Sequence, residues 1–255
     1  MTSTTAAKGG TRLWAAAVWL LLWQGASMVL AARSPHGALL LASPVSALLR
    51  LGELSLTASF WRTVGWSSLR ILGGFLLACA AAVAASAAAA WIPWVRELLF
   101  PPVAAVKSAP VASFIILALV WLDSRSLPQF IAFLMVFPTV YLNVLEGILH
   151  IDPKLLEMAQ VFRAPLGRRL RDLYFPQVLP YFRSAASLSL GLCWKAGVAA
   201  EVIGLPDGSI GERLYTAKVY FETPDLFAWT AVIIALSAFF ERLFLGLLDA
   251  LSKGG

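Results

Sequence analysis

Residues 71–92 read ILGGFLLACAAAVAASAAAAWI, a stretch without a single charge. A helix needs about 20 apolar residues to cross the hydrocarbon layer of a bilayer, so this stretch predicts a membrane span, taken as Leu69–Ile92. Five further segments qualify: Leu13–Ala32, Phe100–Leu122, Gln129–Leu149, Val178–Ala200 and Leu226–Leu248. Only 13% of the 255 residues are charged and 60% are apolar, against about a quarter charged in a soluble domain. The fold expected is therefore all-α, a polytopic membrane protein of about six transmembrane helices in one domain over 1–255. After Phe75 the second span is nearly all Ala, Gly and Ser. Small residues let helix backbones approach closely in lipid, which predicts tight packing there. Trp91 and Trp94, flanking Pro93, suit an aromatic belt at its end.

The net charge of +6 reads as asymmetry across a bilayer rather than as contact with nucleic acid. Between spans four and five lie Lys154, Arg163, Arg168, Arg169 and Arg171, with Arg183 just inside span five. Residues 202–225 hold Asp207, Glu212, Glu222 and Asp225 against Arg213 and Lys218. Cationic loops stay inside, so the first loop is expected in the cytoplasm, 202–225 outside and both termini cytoplasmic. The polar start, Met1–Gly10, and the length of 13–32 point to a first span entered from the side bearing Lys8 and Arg12, not to a cleaved signal. Arg33, Arg50, Arg62 and Arg70 in the first external region run against this orientation. Residues 52–70 mix apolar and polar positions at helical spacing and are expected to lie along the interface.

Ionisable and polar groups inside spans are candidates for a solute path. They are Lys107 near Pro110, Asn143 on a span that also holds Pro138, and Lys195. Glu201, six positions beyond Lys195, does not share its helix face and is expected at the external interface. Cys79 and Cys193 fall in apolar segments as packing residues. His36 and His150, the only histidines, have no ligand partners at metal-binding spacing, and no span carries paired carboxylates. Metal sites and intramembrane catalysis are not expected.

The loop 151–180, IDPKLLEMAQVFRAPLGRRLRDLYFPQVLP, has its own architecture. Asp152-Pro153 is a cap followed by proline at the first helical position, so a helix is expected over 154–162. Ala164 precedes Pro165, which disfavours helical geometry and ends it. A second, basic helix is expected over 166–173 before Pro176 and Pro180 introduce span five. Two short helices at an angle outside the membrane form a knob that can fit a groove on a partner.

Glu157, Ala159, Ala164, Leu173, Phe175 and Pro176 carry a resemblance to the cytoplasmic Glu-Ala-Ala loop of ABC importer permeases. Met158 stands for one of its alanines and Arg163 for its glycine. A left-handed Arg would cost about 1–2 kcal/mol, and the Ala164-Pro165 junction can break the helix without one. The stretches 67–75, 101–110, 137–148, 194–204 and 208–211 are similar to the nitrate, sulfonate and taurine branch of these permeases. The resemblance implies the type I ABC importer permease fold, with a coupling loop over 152–176. Glu157, Ala159, Phe162, Arg163, Ala164, Pro165 and Gly167 would engage a cytoplasmic ATPase subunit. It further implies a second permease copy, an extracytoplasmic substrate-binding protein and ATP bound only by the partner. The chain itself contains no phosphate-binding Gly-x-x-x-x-Gly-Lys-Ser/Thr loop. The implied solute is small, of sulfonate, taurine, nitrate or thiamine-precursor type, and cationic path residues favour an anion. A secondary transporter, driven by no ATPase, is the alternative reading.

Overall fold

A computed structural model describes residues 10–33 and 37–253, and side chains at 14–33 and 39–250. Lys8 and His36 lie outside the described residues, as does the Arg12 side chain. The described chain is helical, with no strand. In order it forms α1 (Gly10–Arg33), α2 (Gly37–Leu40), α3 (Pro44–Ser55), α4 (Ala58–Trp91), α5 (Pro93–Ser108), α6 (Val111–Ala118) and α7 (Leu127–Leu149). Then come α8 (Pro153–Val161), α9 (Leu166–Arg169), a π-helical turn (Leu170–Tyr174), α10 (Phe175–Gly204), α11 (Ile210–Val219) and α12 (Thr223–Lys253). Five segments are long and apolar enough to cross a membrane, or six if the bent pair α5 and α6 makes one.

Three expectations change. Span three is not one helix: α5 and α6 meet at a bend of 108°. Ala109 is extended ahead of Pro110, because the proline ring excludes the helical conformation in the residue before it. Residues 52–70 do not form one helix: 52–55 end α3, and 58–70 begin α4. Ser43 caps α3, its hydroxyl accepting from the Ser46 amide at 3.1 Å. The chain turns at 56–57, and residues 58–70 instead begin α4. At 34 residues α4 measures about 51 Å, well beyond the ~30 Å apolar layer. Residues 166–173 do not form a separate helix either, since α9 runs through the π turn straight into α10.

Contacts divide the chain into two compact units, 1–62 with 213–232 and 63–212 with 233–255. In the first, α1 packs on α2 and α3. Ser27 donates to the Leu41 carbonyl at 2.8 Å and Trp23 Nε1 to that of Ala42 at 3.0 Å. Arg50 of α3 donates to Asp225 at the start of α12 at 2.5 Å and to Glu53 at 2.8 Å. These bonds, Asp225 first, hold the guanidinium well above its ordinary pKa.

The second unit is built around α7 and α10, whose buried faces are Val136, Val140 and Val144 against Ala185, Ala186 and Leu190. The small residues of α4 pack as expected, with Ala78, Ala82 and Ser86 buried. Ser86 donates to the Tyr141 carbonyl at 2.8 Å, and a side chain at Gly74 would overlap the Gln129 carbonyl. Close helix approach is thus a property of particular atoms here. Cys79 and Cys193 are buried and free.

Candidate coupling site and membrane path

Helix α8 begins where the Asp152 carboxylate accepts from the Lys154 amide at 2.9 Å, with Pro153 opening the first turn. One face is anchored: Ala159 is buried with Ile151 and Leu173, and Leu155, Leu156 and Tyr174 pack around them. The other face has no cover. Met158, Val161 and Phe162 are 50%, 79% and 77% exposed at the end of the helix. Glu157, Arg163, Pro165 and Gly167 are exposed beside them, and Ala164 is half-buried. Exposed apolar side chains grouped on an anchored helix are the kind of patch that marks interaction surfaces.

The helix ends on Arg163 itself, which takes the left-handed conformation at φ 47°. The Ala164 amide donates back to the Ala159 carbonyl and the Arg163 amide to that of Gln160, both at 3.0 Å. This pair of bonds is the Schellman end that usually recruits glycine. The helix therefore does not rely on Pro165 alone, and Arg163 bears about 1–2 kcal/mol of backbone strain. Arg169 supports the turn, its Nε donating to the Ala164 carbonyl at 2.8 Å and Nη2 to that of Ala159 at 3.3 Å. The sequence pattern singles out Arg163 but gives Arg169 no role beyond positive charge.

The path candidates are placed apart in kind. Lys107 and Lys195 are exposed on the second unit. Asn143 is half-buried and donates to the Thr139 carbonyl of its own helix at 2.8 Å. Glu201 is fully buried in the protein. Its Oε2 accepts from Ser67 Oγ at 2.9 Å and from the Gly211 amide at 3.1 Å, and Ser67 Oγ accepts from the Ile210 amide at 2.9 Å. Arg70 lies 4.0 Å away. The carboxylate thereby ties the ends of α10, α4 and α11 together, and a side chain on Gly211 would overlap it. The signal was present in Gly208-Ser209-Ile210-Gly211 following an acid on a span. A second acid on a long apolar helix, Glu241 of α12, accepts from Ser187 at 2.6 Å. Arg50 and Arg70, two of the arginines that count against the inferred orientation, thus face carboxylates. Among the described residues no three His, Cys, Asp or Glu side chains are grouped to hold a metal.

Residues 74–253 match the family described as binding-protein-dependent transport system inner membrane component. The chain belongs to this family. A probable ABC transporter permease of Brucella melitensis is 29% identical over 81% of this chain and 84% of its own. A putative aliphatic sulfonates transport permease of Bacillus subtilis is 28% identical over 89% and 82%. A crystal structure of an amino acid ABC transporter shares the fold, with a TM-score of 0.52 over 76% of this chain and 90% of that one at 15% identity. This ABC importer permease is a multi-pass inner-membrane subunit.

Proposed function

We propose that the permease passes a small anionic solute inward when ATP hydrolysis by a separate cytoplasmic subunit moves α8. Two permease copies pair, and an extracytoplasmic binding protein delivers the solute at residues 202–225. Both termini are cytoplasmic, and the permease acts as one domain over 1–255, with its coupling loop at 152–176. Met158, Val161 and Phe162 seat in a cleft of the ATPase subunit, with Glu157, Arg163 and Gly167 around them. Motion of the cleft reaches α10 through Ala159, Ala164, Pro165 and the π turn. The uncovered apolar end of an otherwise anchored helix carries this reading. The sulfonate name of the Bacillus subtilis relative and the exposed Lys107 and Lys195 support an anionic solute.

The test is uptake in cells and in reconstituted vesicles. Phe162→Asp and Glu157→Lys are expected to leave the permease in the membrane while abolishing ATP-driven uptake. Normal uptake by both would remove the coupling role. Alanine at Lys107, Asn143 or Lys195 that leaves uptake kinetics unchanged would dismiss that residue from the path.

A further inference from the structure

The amides of Ile210, Gly211 and Glu212 open α11 and have no carbonyl one turn back to meet. Each is taken by a side chain. The Glu212 amide donates to Ser209 Oγ at 3.0 Å, and the Glu212 carboxylate accepts from the Gly208 amide at 2.6 Å. These two bonds are a local cap, closed within five residues of chain. The other two partners come from distant helices: Ile210 donates to Ser67 of α4, and Gly211 to Glu201 of α10. Ser67 donates in turn to the same Glu201 oxygen that Gly211 meets, and Arg70 lies 4.0 Å from the other oxygen. Ser67, Glu201 and Ser209 are fully buried, whereas Asp207, in the turn between α10 and α11, is exposed.

A local cap is enough to start a helix of ten residues, and burying a carboxylate is costly unless its bonds are met. What Glu201 adds is placement: it fixes the turn 205–209 and the first residues of α11 against α4 and α10. We propose that Glu201 is a positioning residue for the docking of the extracytoplasmic binding protein. It holds the turn and the start of α11 in the shape that the partner recognises, without touching the partner itself. The proposal rests on the reading of 202–225 as the dock. A surface that holds its binding shape for only part of the time has its affinity lowered by that fraction, so loosening this clasp weakens docking.

The test is binding of the substrate-binding protein to the assembled transporter in lipid nanodiscs, followed by biolayer interferometry. Glu201→Gln keeps the size of the side chain but brings no charge to the α11 terminus or to Arg70. Its dissociation constant should rise about tenfold. Ser67→Ala removes the acceptor of the Ile210 amide and a donor to Glu201, and should weaken docking about threefold or more. It decides the matter should Glu201→Gln fail to assemble. Ser86→Ala also removes a buried bond, to the Tyr141 carbonyl, but about 28 Å further along α4 from Ser67, and should bind as the unaltered chain does. Unchanged affinity in the Glu201 and Ser67 variants, or an equal loss in Ser86→Ala, would overturn the proposal. Failure of the dock reading looks different: the unaltered chain binds the protein, yet a photo-crosslinker at position 207 does not capture it. That outcome removes the dock and the role of Glu201 together, whereas unchanged affinity with capture intact removes the role of Glu201 alone.

Discussion

Arg163→Gly should tighten the coupling loop. Arg163 sits at φ 47°, which costs a residue with a Cβ about 1–2 kcal/mol. Glycine removes that strain but adds freedom to the open chain worth about 0.4–1 kcal/mol. The net gain is about 1 kcal/mol, or roughly fivefold in the equilibrium between closed and open loop. Hydrogen–deuterium exchange at the Ala164 amide reads it, because that amide is bonded to the Ala159 carbonyl only when the turn is closed. Protection should rise about fivefold in the glycine variant. Arg163→Ala removes the same charge and keeps the Cβ, so its protection should stay near that of the unaltered chain. Equal protection in the glycine and alanine variants would show that charge rather than backbone strain sets the loop, and the reasoning would fail.

Arg169→Leu removes the side-chain donor from the Ala164 carbonyl and the second donor from that of Ala159, and should loosen the same turn by about 1–3 kcal/mol, seen as faster proteolysis at 163–166. Gly211→Ala drives a methyl into Glu201 and should lower stability by about 1–3 kcal/mol, measured as a lower melting temperature in detergent. Asp123, in the turn before α7, is held below the ordinary carboxylate pKa, chiefly by the Ser126 hydroxyl and also by the Arg125 amide. Its contribution is present above the ordinary range and is lost as pH falls through the lowered value. Exchange in 123–126 should thus rise as pH falls below the ordinary carboxylate range, and Ser126→Ala should move that rise to higher pH.

The spans and the start of α8 were legible because each follows from a local rule: apolar length, an Asp cap, a proline at the first turn. The break at Ala109-Pro110 was legible as a bend but not as a near right angle, since a proline removes a bond without fixing a direction. The error over residues 52–70 arose from reading mixed polarity as an interfacial face. Ser67 and Arg70 are polar there because they meet Glu201, 131 or more positions further along the chain. No local pattern holds such a partner. Arg169 was hidden for the same reason, its role depending on two carbonyls brought near by the turn at Arg163. Burial of Glu201 could have been suspected from the small residues at 208–211, which leave room for a carboxylate against backbone amides.

The most direct measurement places a photo-crosslinking residue at position 162 in one permease and at position 207 in another, each in the assembled transporter. The account predicts that the probe at 162 captures the ATPase subunit and the probe at 207 captures the substrate-binding protein. Capture of the substrate-binding protein from position 162 would invert the topology and contradict the coupling role of α8.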